Sequence, residues 1–200
     1  MKLKKIIILS VAFCSLMTTQ KVSALISDSQ LSTLISEPSF RACVLDTYNS
    51  IFTDPSELAQ FNLSLGKDHL AQITELKCQN DGITSTEGIQ YLTGLQKLDL
   101  GNNLAMSFQS NSISTIDLSK NTKLTELYLI GNDISTIDLS KNTALTKLSL
   151  SSNNISTIDL SKNTALTSLD LSSNKLTLGE KLNFKEYVKL PQGFKTKVSY

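Results

Sequence analysis

"ISTIDLSKNTKLTELYLIGND" (113–133), "ISTIDLSKNTALTKLSLSSNN" (134–154) and "ISTIDLSKNTALTSLDLSSNK" (155–175) are three consecutive variants of one 21-residue phrase. A fixed period of this length marks a stacked-repeat architecture, in which each unit is too short to bury its own apolar side chains and lays them against its neighbours. The first thirteen residues of the second and third copies are identical, and the first copy departs only by Lys123 in place of Ala144 and Ala165. Differences concentrate in the eight residues that follow.

Within those eight the apolar positions Leu127/Leu148/Leu169 and Leu129/Leu150/Leu171 are kept, as is an Asn at 132, 153 and 174. With Leu124, Leu145 and Leu166 this spells LxxLxLxxN, which resembles the leucine-rich repeat. The resemblance implies a curved α/β-type solenoid whose xLxLx segments pair as a parallel sheet on the concave side. Side chains alternate across a strand, so the leucines face the core. Glu126, Tyr128, Ile130, Lys147, Ser149, Ser151, Ser168, Asp170 and Ser172 face out. Ser119, Lys120, Thr122 and their copies are expected to be exposed on the other side. The lining varies while the equally exposed opposite face is copied, which fits a lining selected for recognition; recent duplication of the copies is the alternative.

The pattern extends upstream. "ITELKCQNDGITSTEGIQYLTGLQKLDLGNN" supplies Ile73, Leu76 and Cys78, then Leu95, Leu98, Leu100 and Asn103 at a spacing of 22, and adds Lys97 and Asp99 to the lining. From Leu95 to Leu124 the spacing is 29, so roughly eight extra residues sit within 104–112 and project as a loop. Met106 and Phe108 there either tuck back on the core or are offered to a partner. Five strand-bearing turns result, above the minimum of about three.

The N-terminal "MKLKKIIILSVAFCSLMTTQKVSA" has Lys2, Lys4 and Lys5, an apolar run from Ile6 to Leu16, and Val22-Ser23-Ala24 ahead of Leu25. This reads as a secretory signal peptide, 1–24, rather than a membrane span, which needs about twice that apolar length. Removing its four lysines leaves 15 basic against 18 acidic residues, a net charge of −3. The remaining lysines form no basic stripe, which sets aside nucleic acid and anionic membrane as partners.

Residues 25–70 are expected to cap the exposed end of the stack, whose repeats run over 71–178. "SFRACVLDTYNSI" places Phe40, Val44, Tyr48 and Ile51 on one helical face. "DPSELAQF" offers Asp54 as an N-cap with Pro55 and Glu57 behind it. Cys43 lies in this cap and Cys78 in the place of a core leucine. Buried cysteine behaves as a small hydrophobe, so two reduced thiols are expected, with a cap-to-repeat disulfide as the alternative. Residues 179–200 leave the 21-residue register after Leu176, and Phe194, Thr196, Val198 and Tyr200 alternate as a strand face. They form a C-terminal cap or begin a further β domain.

Signal peptide, helical cap and short repeats together resemble bacterial secreted leucine-rich repeat proteins of the internalin type. The resemblance implies an extracellular or cell-surface binding protein with no enzymatic activity and no cofactor, a protein or glycan ligand on the concave face, and a role in host interaction or virulence. The alternative it leaves is an N-terminal spacer or adhesin part of a larger wall-bound protein. Carried onto this chain, the partner-binding residues are Tyr128, Ile130, Glu126, Lys147, Asp170, Lys97 and Asp99. Tyr128 with Ile130 is the side-chain pair most like an interface anchor, since Trp is absent.

The residues do not assemble a catalytic or metal centre. His69 is the sole histidine, and Cys43 and Cys78 sit in apolar patterns that raise thiol pKa, which argues against a Cys–His pair. No zinc spacing, phosphate-binding glycine loop or nucleophile elbow occurs. Asp117, Asp138 and Asp159 recur in successive turns and could form a column of carboxylates about 5 Å apart. The expected role is structural: each accepts N–H bonds from the "LSK" turn that follows it. Asn111, Asn132, Asn153 and Asn174 are likewise read as inward-facing structural residues.

Overall fold

A computed structural model describes residues 28–51, 63–102, 110–176, 188–189 and 198–199. The signal peptide, the helix expected from Asp54, and the insertion residues Met106 and Phe108 lie outside that set, as do Phe194, Thr196 and Tyr200. The chain opens with helices α1 (Asp28–Leu31), α2 (Pro38–Ile51) and α3 (Leu63–Leu70). Strands β1 (Glu75–Lys77), β2 (Lys97–Asp99), β3 (Glu126–Tyr128), β4 (Lys147–Ser149) and β6 (Ser168–Asp170) follow, with β5 (Ile158–Asp159) on the opposite side. Two short tail strands, β7 (Val188–Lys189) and β8 (Val198–Ser199), complete the fold.

All strand pairs are parallel, and the main sheet runs β1-β2-β3-β4-β6-β8. The central leucines Leu76, Leu98, Leu127, Leu148 and Leu169 align across it and are buried. Parallel strands need a crossover between them, and here the crossover is the rest of each coil. Its inward side chains, such as Ile134, Leu139 and Leu145, stack on the copies before and after to make one continuous core. The sequence places the tail out of register, yet β7 pairs with β5 and β8 with β6, so the tail contributes strands to both sides of the stack.

Coil-to-coil polar bonds follow the repeat. Asn132, Asn153 and Asn174 each accept the N–H of the isoleucine that opens the coil (Ile113, Ile134, Ile155) and donate to strand-end carbonyls of their own and the preceding coil. Asn111 does the same for the coil of β2, accepting from Ile83 and donating to Cys78 and Leu100. The extra residues therefore lie between β2 and its ladder asparagine. Asn102 closes the base of that insertion through both backbone polar groups of Asn111.

A second ladder, which the repeat pattern does not single out, runs through Asn121, Asn142 and Asn163, all fully buried. Their Nδ2 groups donate to carbonyls of the preceding coil: Ile89 and Leu92, then Leu118 and Asn121, then Leu139 and Asn142. Their Oδ1 atoms have no hydrogen-bond partner among the described residues.

The cap packs Phe40, Cys43, Val44 and Tyr48 of α2 into the core. Ile51, expected on the same face, is the last residue of α2 and is 48% exposed. The expectation of reduced thiols is corrected: Cys43 and Cys78 form a disulfide, with Cα atoms 5.8 Å apart. The geometric demand that argued against the bond is met because α2 lies beside β1, at whose end Cys78 stands.

Candidate functional site on the concave face

Strand register sorts the lining into two rows. One reads Glu75, Lys97, Glu126, Lys147, Ser168 across the sheet; the other reads Lys77, Asp99, Tyr128, Ser149, Asp170. In the first row opposite charges therefore sit directly across from one another over the first four strands, and in the second over the first two, the favourable cross-strand arrangement.

Glu126 is the hub. Its carboxylate lies 3.1 Å from the Lys147 ammonium and 3.9 Å from that of Lys97, and the Tyr128 hydroxyl donates to it at 3.1 Å. The bond from Lys147, then that from Tyr128, holds the Glu126 carboxyl below its ordinary pKa against a burial effect of opposite sign. Burial first, and the Glu126 carboxylate next, push the Tyr128 phenol up. The ring of Tyr128 is thus tethered on the surface as a neutral aromatic.

Lys97, Asp99, Glu126 and Tyr128 line one hollow of about 140 Å³ together with Glu75 and Lys77 of β1. Lys147 joins it through Glu126. Ile130 sits at the end of the third coil's strand segment, half-buried and facing Gly101, whose place a Cβ would crowd to 3.4 Å from Ile130 Cβ. Asp170 stands apart, two strands from Tyr128, and caps its own turn by accepting the Ser172 N–H and hydroxyl. The candidate residues therefore form one cluster plus one outlier.

Ser149 and Ser151, expected to be exposed, are each only 7% exposed. The row neighbours of Ser149 are Tyr128 and Asp170. Glu75, Lys77 and Gln79 of the first strand segment escaped the sequence reading, although "ELKCQ" carries the alternation that would have found them. Glu75 pairs with Lys77 at 2.7 Å, and Gln79 donates to Asp99.

Away from this face, Asp117, Asp138 and Asp159 accept the N–H of Ser119, Ser140 and Ser161 at 2.8–2.9 Å, the structural role expected of them. His69 bonds Tyr48 inside the cap at 2.7 Å. Both thiols are joined in the disulfide, so neither can act as a nucleophile with His69 or as a metal thiolate beside Asp81. Among the described residues no helix is long and apolar enough to cross a membrane.

The family model described as Leucine Rich repeat matches residues 120–141, 141–162 and 162–178. The functional domain of InlJ from Listeria monocytogenes, described as including a cysteine ladder, is similar over 80% of this chain with 28% identity and a TM-score of 0.59. This chain has a leucine-rich repeat fold similar to that of the internalins. The internalin InlF, also from Listeria monocytogenes, is similar over 74% of it with 25% identity and a TM-score of 0.55. The chain spans 31% of the InlJ chain and 46% of the InlF chain. No curated protein sequence is significantly similar to it. The internalin-like fold is consistent with a protein-interaction role.

Proposed function

We propose that this internalin-like protein is exported and binds a protein partner on its concave face, with contacts centred on Tyr128 and Ile130 and steered by Lys97, Asp99, Glu126, Lys147 and Asp170. One observation carries the reading. All three lining positions (126/147/168, 128/149/170 and 130/151/172) are among the six that differ between the copies, and with Glu75 and Lys97 they assemble an alternating charge row beside a tethered tyrosine. Such a lattice discriminates by charge register, since like charges brought together across an interface cost several kcal/mol, on the order of what specificity needs. The tethered ring supplies aromatic area with little conformational entropy left to lose. A host-surface ligand, and with it a virulence role, is the proposal the resemblance favours.

The test uses the whole mature chain as bait on cell-surface protein extracts, then measures the captured partner against Tyr128→Ala/Ile130→Ser. Loss of about 2 kcal/mol or more of binding, with an unchanged melting temperature, is expected for an anchor pair. Unchanged affinity refutes the concave site.

A further inference from the structure

Glu75, Lys97, Glu126 and Lys147 occupy one register position on four neighbouring strands and alternate in sign from the cap toward the tail. Neighbouring strands lie about 4.8 Å apart, so the row places its charges at about 0, 4.8, 9.6 and 14.4 Å. The head groups are positioned by their neighbours: Glu75 by Lys77 at 2.7 Å, and Glu126 by Lys147 at 3.1 Å and Lys97 at 3.9 Å. They also stay open to solvent, since the side chains of Glu75, Lys97 and Lys147 are 46–50% exposed and that of Glu126 is 19% exposed. The hollow of about 140 Å³ is lined by this row and by Lys77, Asp99 and Tyr128 of the row beside it.

A partner that reads the whole row must present opposite charges at the same pitch. An extended strand laid along it offers same-face side chains every 6.6 Å or so, and by the third it is about 3.6 Å out of step. An α-helix offers positions i, i+3, i+7 and i+10 at about 0, 4.5, 10.5 and 15 Å along its axis, each within about 1 Å of the charge it must meet. Those four positions fall within an arc of about 80° on one face of the helix. A facing sheet shares the pitch but must bring several strands down onto a concave wall at once, whereas a helix is a single rod about 10 Å across.

We propose that the segment bound by the concave face is an α-helix laid across β1 to β4. Running from the cap toward the tail, it carries cations at i and i+7, opposite Glu75 and Glu126, and anions at i+3 and i+10, opposite Lys97 and Lys147. The proposal rests on the concave-face reading above and adds the shape and charge order of what binds there. The spacing is the same read backwards, so a helix with the charges exchanged fits by running the other way.

The test titrates the full mature chain at low salt with two end-capped, alanine-based helical peptides of one composition. One carries Lys, Glu, Lys, Glu at the four positions, the other Lys, Lys, Glu, Glu. Saturable amide shifts on β1 to β4 are expected for the alternating peptide, about tenfold tighter than for the block peptide, which trades two attractions for two repulsions of exposed pairs. Lys97→Gln should weaken the alternating peptide about two- to fivefold. Lys97→Glu/Glu126→Lys, with its fold checked by circular dichroism, makes the row two anions followed by two cations and should reverse the preference. A proline at the centre of the alternating peptide should abolish binding, because it breaks the helix and leaves the charges in place. Equal affinities for the two orders, an unreversed preference in the folded double variant, or undiminished binding of the proline peptide overturns the proposal. The concave-face reading is judged separately, by partner capture and its loss in Tyr128→Ala/Ile130→Ser.

Discussion

Asn153→Ala and Asn142→Ala remove the same side chain from two buried ladders, and the structure makes them unequal. Asn153 accepts the Ile134 N–H at 3.0 Å and donates to the carbonyls of Leu129 at 2.8 Å and Leu150 at 3.0 Å. Truncation orphans a buried N–H, at about 1–3 kcal/mol, and removes two donations of about 1 kcal/mol each. The total is about 3–5 kcal/mol. Asn142 donates to Leu118 at 3.1 Å and Asn121 at 3.0 Å, but its Oδ1 has no partner among the described residues, so truncation orphans no N–H and also relieves a buried, unsatisfied carbonyl. Its net cost is about 1–2 kcal/mol. With a urea slope of about 2 kcal/mol/M the midpoints should fall by about 1.5–2.5 M for Asn153→Ala and about 0.5–1 M for Asn142→Ala. Far-UV circular dichroism reads both, as the chain has no Trp. Equal costs, or a larger one at Asn142, would refute the assignment of the N–H bond as the dominant contribution.

Reducing the Cys43–Cys78 bond, or Cys43→Ser, should cost about 3–4 kcal/mol in the chain-entropy model for a separation of 35 residues, read as a lower urea midpoint in dithiothreitol. Ser152 and Ser173 occupy φ values of 55° and 57° where the first copy has Gly131 at 70°, so Ser152→Gly should raise the melting temperature by about 2 °C, and Gly131→Ala, which meets Asn102 Cβ at 3.2 Å, should lower it. Asp117 and Asp138 have their pKa values depressed below the ordinary 3.8 by the Ser119 and Ser140 N–H bonds. Folded values below unfolded ones mean that their contribution is present above about pH 4 and lost as pH falls through the folded values; Asp138→Asn should flatten that acid limb in a urea titration between about pH 4 and 2.

The solenoid was legible because its determinant is periodic: a leucine kept every 21 residues can only be buried by its copies, and the copies are on the page. What resisted reading is what the period does not carry. The disulfide depends on where α2 lies against β1, a tertiary fact that two cysteines 35 residues apart do not encode. The second asparagine ladder was hidden by the opposite cause. Asn121, Asn142 and Asn163 sit in the invariant half of each copy, between Lys120 and Thr122 and their counterparts, where a polar residue among exposed polar residues gives no sign of being fully buried. Within the candidate site the alternation rule found Lys97, Asp99, Glu126, Tyr128 and Lys147 as outward neighbours, but direction is not exposure. Ser149 is the register partner of Tyr128, yet it is buried where Tyr128 is only partly so. The charge lattice itself emerges only from register: Glu75, Lys97, Glu126 and Lys147 are spaced 22, 29 and 21 residues apart in the chain, and the insertion hides the row until the strands are laid side by side.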